Sequence, residues 1–182
     1  MAKTKEKSDW FDWVKALLIA FVLAFLVRTF LFTPIVVDGP SMQPTLHNRD
    51  QMIVNKFIYR IDEPERFDIV VFHANDQKDF IKRVIGLPGD HVAYKDNVLY
   101  INGQPIKEKF FQDDNIVMTY DFTLEEVTGN YSTVPEGHVF VLGDNRTNST
   151  DSRILGPIPI DQIVGKASVI YWPFDRMQLL GE

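Results

Sequence analysis

Asp79-Phe80-Ile81-Lys82-Arg83-Val84-Ile85-Gly86-Leu87-Pro88-Gly89-Asp90 sets apolar residues around two adjacent cations and then ends in Gly, Pro and Asp. That is the pattern of a β-strand running into a tight turn. On a strand, Lys82 shares a face with Phe80 and Val84, and Arg83 shares the other with Ile81 and Ile85. Two cations in so apolar a strand are unusual, because lysine and arginine are rarely buried unpaired. The plain alternative is an edge strand that both side chains protect from aggregation by snorkelling. The chemical reading holds one of them in a low dielectric, which favours its neutral form. Arginine does not lose its proton in proteins. Lysine can serve as a base if burial lowers its pKa by about 2–3. Chemistry therefore selects Lys82 over its neighbour Arg83.

Working outward, the same texture fills the chain after Pro34. Short apolar stretches at Ile35–Val37, Met52–Val54, Ile69–Phe72, Phe80–Ile85, Val98–Ile101, Val139–Leu142 and Ala167–Tyr171 are separated by Gly, Pro, Asn and Asp. This predicts a mainly β domain with many turns. Asp96-Asn97, between His91–Lys95 and Val98–Ile101, predicts a tight hairpin, and Asn102-Gly103 marks the next turn. Gln112–Thr133 is acidic, less regular and expected to vary more in structure. No internal repeat or low-complexity segment is visible. Two sheets sharing a core, barrel-like or sandwich-like, are the natural architecture.

Before Pro34 the pattern is helical and apolar. Val14 to Phe32 supplies the roughly 20 residues that a membrane span needs, provided Lys15 and Arg28 snorkel towards opposite faces. Trp10 and Trp13 suit an interfacial aromatic belt. The uncharged core Ala16 to Val27 is followed by Arg28, Thr29, Phe30, Leu31 and Phe32, mostly too bulky for a small-residue cleavage site, so the segment is expected to remain attached. A buried soluble helix of this composition would need a large core. Lys3, Lys5, Lys7 and Lys15 lie on the N-terminal side, and after Arg28 the next basic residue is Arg49. The N-terminus is thus expected in the cytoplasm. The expected organisation is a cytoplasmic tail at 1–13, an anchor at 14–33 and an extracytoplasmic β domain at 34–182, in the cell membrane.

Bulk properties narrow the function classes. The chain has 182 residues, room for one ordinary domain plus an anchor. Its formal net charge of −6, without a long basic run, argues against nucleic acid as partner. It contains no cysteine, which removes disulfides, thiolate catalysis and cysteine metal sites.

Two further clusters could carry chemistry. In Gly39-Pro40-Ser41-Met42-Gln43-Pro44-Thr45-Leu46, two prolines stiffen the backbone on either side of a serine, and Gly39 permits close approach of another chain. By itself this is an ordinary turn, and Gln43 rules out the G-x-S-x-G elbow. Gly143-Asp144-Asn145-Arg146-Thr147-Asn148-Ser149-Thr150-Asp151-Ser152-Arg153 is a dense polar loop after an apolar strand. It holds Asn-x-Ser/Thr triplets at Asn145 and Asn148. Its alternating Asp and Asn resemble a calcium loop, but no glutamate follows at the bidentate position, so no metal and no cofactor are expected. His47, His73, His91 and His138 sit in no recognisable triad motif.

Taken in order behind one anchor, Ser41-Met42-x-Pro44-Thr45-Leu46, Lys82-Arg83-Val84-Ile85-Gly86-Leu87-Pro88-Gly89-Asp90 and Gly143-Asp144-Asn145-Arg146-x-x-Ser149-x-Asp151-Ser152-Arg153 resemble bacterial type I signal peptidases. The match covers most of the chain, and the compact single-anchor form is similar to the Gram-positive branch. The resemblance implies Ser41 as nucleophile, Lys82 as neutral general base and Ser149 as the hydroxyl that orients the lysine amine. It implies a supporting salt bridge between Asp151 and Arg153. Some relatives carry a serine two residues before the nucleophile, where this chain has Gly39. The oxyanion would then rest mainly on the Ser41 N–H. The implied substrates are signal-peptide-bearing preproteins with small residues at P1 and P3 (Ala-x-Ala), bound as an extended strand. Ile35, Val37, Met42, Leu46, Phe80 and Ile81 occupy matching positions and are the candidate pocket walls. Phe32 and Ser41 are close enough in sequence, a reach of at most about 30 Å, to keep the nucleophile near the membrane lipid. The alternatives are a tethered β domain that binds extended peptides without cutting them and a self-cleaving serine–lysine regulator. The regulator would need a DNA-binding region where this chain has an apolar segment.

Overall fold

The computed structural model describes residues 9–75, 78–111 and 118–180. Lys3, Lys5 and Lys7, which carry the expected orientation, lie outside the described residues, as does 112–117 of the acidic stretch.

Helix α1 (Asp9–Phe30) opens the structure. Its segment Trp10–Phe30, 21 residues with a mean hydropathy of 2.0, is long and apolar enough to cross a membrane, and its apolar window is not buried in the protein. The helix starts before the expected Val14 and stops earlier than the expected boundary at 33. The stop has a local cause and a tertiary one. Pro34 disfavours helical backbone at Thr33, and strand β1 (Phe32–Val36) pairs Phe32 and Thr33 with Asn55 and Val54 of β2 (Gln51–Asn55). Pro34 is tolerated because β1 is an edge strand.

The remaining chain is mainly β, with every strand pair antiparallel. Its strands are β3 (Ile69–Asn75), β4 (Lys78–Gly86), β5 (Val92–Lys95), β6 (Val98–Ile101), β7 (Gln104–Ile106), β8 (Phe122–Thr123), β9 (His138–Leu142), β10 (Ile158–Pro159), β11 (Ile163–Trp172) and β12 (Gln178–Leu179). The larger sheet runs β1-β2-β11-β3-β4-β9-β10, with β12 also on β11, and the smaller runs β7-β6-β5-β8. Asp96 (φ 50°) and Asn97 (φ 64°) are both left-handed, as the two-residue β5–β6 turn requires. Asn102 (φ 53°) and Gly103 (φ 78°) repeat this between β6 and β7.

Alternation along the strands divides the core. Ile69 and Val71 of β3 face Val37, Met42, Leu46, Met52 and Val54, while Val70 and Phe72 face Val84, Val139 and Val141. Ile85, Phe140 and Leu142 pack instead against Val92, Tyr94, Leu99 and Phe122, which joins the two sheets. The irregular stretch contains a short helix, α2 (Leu124–Thr128). Thr123 Oγ1 accepts from Glu126 N (3.3 Å), and the Glu126 carboxylate accepts from Thr123 N (2.7 Å). This capping box holds together a helix too short to persist alone.

Candidate active site

Ser41 stands in a compact turn just past β1. Gln43 N donates to Pro40 O (3.1 Å) and Leu46 N to Met42 O (2.9 Å), while the fully buried Met42 and Leu46 side chains pin the turn to the core. Gly39 has φ +95°, a conformation L side chains rarely adopt, and its N–H donates to Asn48 Oδ1 (3.1 Å). Glycine at this position is therefore matched to the backbone that leads into the serine.

Lys82 projects from β4, opposite Val70 of β3, and meets Ser41 from the other side. Its Nζ lies 3.0 Å from Ser41 Oγ and donates to Ile81 O at 2.8 Å, 5.0 Å from the centre of the Phe80 ring. Both bonded acceptors are neutral, and the residue is only 3% exposed. Burial lowers its pKa to about 8, against the opposing pull of the Asp151 and Asp144 carboxylates. A desolvated amine without a bonded counter-ion loses its proton more readily, which a general base needs.

The polar loop after β9 closes the site. Asn145 N donates to Ser41 O (3.0 Å) and Asn145 Nδ2 to Pro40 O (3.2 Å). Ser149 Oγ is buried and has no hydrogen-bond partner among the described residues, Lys82 included. A Cβ added at Gly143 would fall 2.1 Å from Ser149 Oγ and 2.5 Å from Ser41 O, so only glycine fits between them. Asp151, fully buried, accepts from Gly143 N (3.0 Å) and holds Arg153 by a two-pronged ion pair, with Nε and Nη2 both at 2.8 Å. It also caps the short helix α3 (Ser152–Leu155).

Arg83 points to the opposite face. Its Nε and Nη2 reach Asp144 at 2.9 and 2.6 Å, its Nη1 donates to Phe67 O (2.9 Å), and its guanidinium lies 3.7 Å from the centre of the Phe110 ring. Thr45 Oγ1 donates to Asp144 Oδ2 at 2.5 Å, tying the serine turn to the same carboxylate. Asp144 and Asp151, the carboxylates that suggested a calcium loop, are thus both engaged with arginines.

A cleft of about 360 Å³ runs along the serine and lysine. Of the expected walls, Ile35, Val37, Met42, Phe80 and Ile81 line it together with Ser149. Leu46 does not. It lies in the core behind the turn, 0% exposed, where it anchors the backbone. Sequence reasoning passed over Thr45 and Asp144 as partners of Arg83, and assigned no role to Arg146. Both Asp144 and Arg146 stand in the quoted loop, but sequence spacing carries no sign of which cation meets which anion.

Comparison with known proteins shows the family of the chain. The family model described as signal peptidase, peptidase S26, matches residues 10–172. Signal peptidase I of Bacillus caldolyticus is 48% identical over 185 residues, covering 97% of each chain. Signal peptidase IB of Staphylococcus aureus is 40% identical over 180 residues, covering 94% of each. The crystal structure of a signal peptidase I from Enterococcus faecalis V583 aligns with a TM-score of 0.51 at 41% identity, covering 58% of this chain and 97% of that one. With the serine, the buried lysine and the arginine-clamped loop all falling inside the matched region, this chain belongs to the signal peptidase family, peptidase S26.

Proposed function

We propose that this chain is a membrane-bound serine endopeptidase that removes signal peptides from exported preproteins, with Ser41 as nucleophile and Lys82 as neutral general base. The observation that carries the dyad is the 3.0 Å approach of a buried amine, bonded among the described residues only to neutral acceptors, to the Ser41 hydroxyl. Family membership supports the hydrolytic reaction on signal peptides.

In this reading the neutral Lys82 amine takes the Ser41 Oγ proton as Oγ bonds to the scissile carbonyl carbon. The oxyanion is received by the Ser41 N–H. The lysine then returns its proton to the leaving amine, which departs as the new N-terminus of the mature protein. Water, deprotonated by the same amine, hydrolyses the acyl-enzyme. Ser149 supplies the hydroxyl that orients the amine, and its unpartnered Oγ in the cleft is available for this. The apolar walls formed by Ile35, Val37, Met42, Phe80 and Ile81 suit small residues at P1 and P3 of an extended substrate (Ala-x-Ala).

We assign residues 1–13 to the cytoplasm, 14–33 to the anchor and 34–182 to the outside. The short link between α1 and Ser41 keeps the nucleophile near the lipid, where a signal-peptide helix ends. The test is incubation of the detergent-solubilised protein with a preprotein bearing an Ala-x-Ala site, followed by mass spectrometry. One cut after the second alanine, absent in Ser41→Ala and Lys82→Ala, is the expected result. A folded sample that binds several preproteins and cuts none would replace this reading with peptide binding alone.

A further inference from the structure

The smaller sheet contributes no residue to the cleft among the described residues, yet it grips the loop that closes it. The connection is Arg146, 2% exposed. Its Nε donates to Gly143 O (3.1 Å). Its remaining nitrogens turn to the smaller sheet and the segments flanking it: Nη1 to Tyr94 OH on β5 and to Thr119 Oγ1 (3.2 Å), and Nη2 to Glu108 Oε1. The Tyr94 hydroxyl also donates to Glu108 Oε1 at 2.8 Å, and the Phe111 ring centre lies 5.1 Å from the guanidinium.

Glu108 supplies the charge balance here. Burial pushes the Tyr94 hydroxyl well above its ordinary pKa, so it stays neutral. Burial also works against the Arg146 charge, and its neighbours outweigh that effect. Glu108, only 12% exposed, is the carboxylate in ion pair with it. Without that charge, the next carboxylate acting on Arg146 is Asp144, which Arg83 already holds. Gly143 lies tight against Ser149 and the Ser41 carbonyl, so a shift of Gly143 that follows a displaced guanidinium is passed on to both.

We propose that Glu108 is a positioning residue for the hydrolytic reaction: through Arg146 it fixes Gly143, and through Gly143 the placement of Ser41 and Ser149. The inference rests on the peptidase reading above, and the substrate never touches Glu108. The chain of contacts is Glu108, Arg146, Gly143, then the nucleophile's own carbonyl, which also accepts from Asn145 N at 3.0 Å. Misplacing a reacting group by 1 Å costs about 100-fold in rate, so a smaller displacement has room for a measurable loss.

The test compares full-length, detergent-solubilised wild type with Glu108→Gln, Glu108→Asp and, as control, Lys109→Ala, a neighbouring exposed side chain. A peptide with an Ala-x-Ala site is the substrate, and kcat, KM, the pH profile and thermal unfolding are measured. Glu108→Gln is expected to lose about tenfold in kcat with KM within about twofold. Its pH midpoint should move below that of wild type, since an uncompensated Arg146, or one that draws on Asp144, disfavours protonated Lys82. Glu108→Asp should recover part of the rate, and Lys109→Ala should match wild type. Glu108→Gln that unfolds at a lower temperature but keeps wild-type kcat and pH midpoint while folded overturns the proposal. If Glu108→Gln does not fold, Glu108→Asp decides alone: lower kcat at unchanged KM supports the proposal, and wild-type kcat overturns it. An inactive wild type would instead sink the peptidase reading, so the two failures are distinguishable.

Discussion

Lys82 and Arg83 are neighbours on one strand, each 3% exposed, and their surroundings differ in one respect. On the back face of β4, Arg83 meets a fully buried carboxylate with two nitrogens, a backbone carbonyl and an aromatic ring. On the cleft face, Lys82 meets a hydroxyl and a carbonyl. The first environment holds a permanent charge in place. The second destabilises a charge that can leave. Burial by itself does not make a base, and what decides is whether a counter-ion is bonded within the same desolvated space. The neighbouring carboxylates Asp144 and Asp151 raise the Lys82 pKa from a distance, yet each is neutralised by its own arginine.

Substitutions on the two faces should therefore behave oppositely. The largest effect is expected from Lys82→Met, with kcat falling about 10²–10⁴-fold on an Ala-x-Ala peptide. In wild type the rate should rise to half its plateau near pH 8 as the amine deprotonates. A rate that stays flat across that pH would break the contrast. On the back face, Asp144→Ala leaves Arg83 buried without its anion and should cost about 3–5 kcal/mol of stability, measurable by denaturant unfolding. A loss below about 1 kcal/mol would mean that water reaches Arg83 freely.

Lys82→Met should also stabilise the fold, by up to about 3 kcal/mol at neutral pH, because it removes the burial penalty that takes the pKa from 10.5 to about 8. Between those values the unfolded chain keeps the lysine proton that the folded chain has released. Wild-type stability from this group therefore rises with pH, and the advantage of Lys82→Met should fade as pH approaches 10.5. A pH-independent difference in melting temperature would point to packing alone. The smallest effect is assigned to Ser149→Ala. Loss of the hydroxyl that Ser149 would offer the amine during the reaction should lower kcat about tenfold. Melting should not suffer, since the hydroxyl is buried without a partner. Unchanged kcat would remove Ser149 from the orienting role.

Much of this was legible in the residues. The hairpin at Asp96-Asn97 was readable because only a few residue types accept two successive positive φ values. The apolar helix was readable from length and composition, although its end was not. Pro34 sets a limit to the helix, but the stop before it depended on β1 pairing with β2 across the intervening serine turn. Helix α2 was missed in an acidic stretch, although Thr123 and Glu126 stand at capping-box spacing. The resemblance points to Leu46 as a pocket wall, and the turn rotates it into the core.

The sequence by itself determined the residue types that the chemistry needs: a serine in a stiffened turn, a lysine in an apolar strand, and a loop dense in Asp and Arg. It also determined the alternation that makes β4 two-faced. Only the tertiary structure decided which cation faces which anion, because Thr45, Arg83 and Asp144 converge from three distant segments. It likewise decided that Glu108, in the segment that follows β7 and outside the cleft, meets Arg146. Charge pairing in a low dielectric depends on distances of a few ångströms in space, and linear spacing does not encode them.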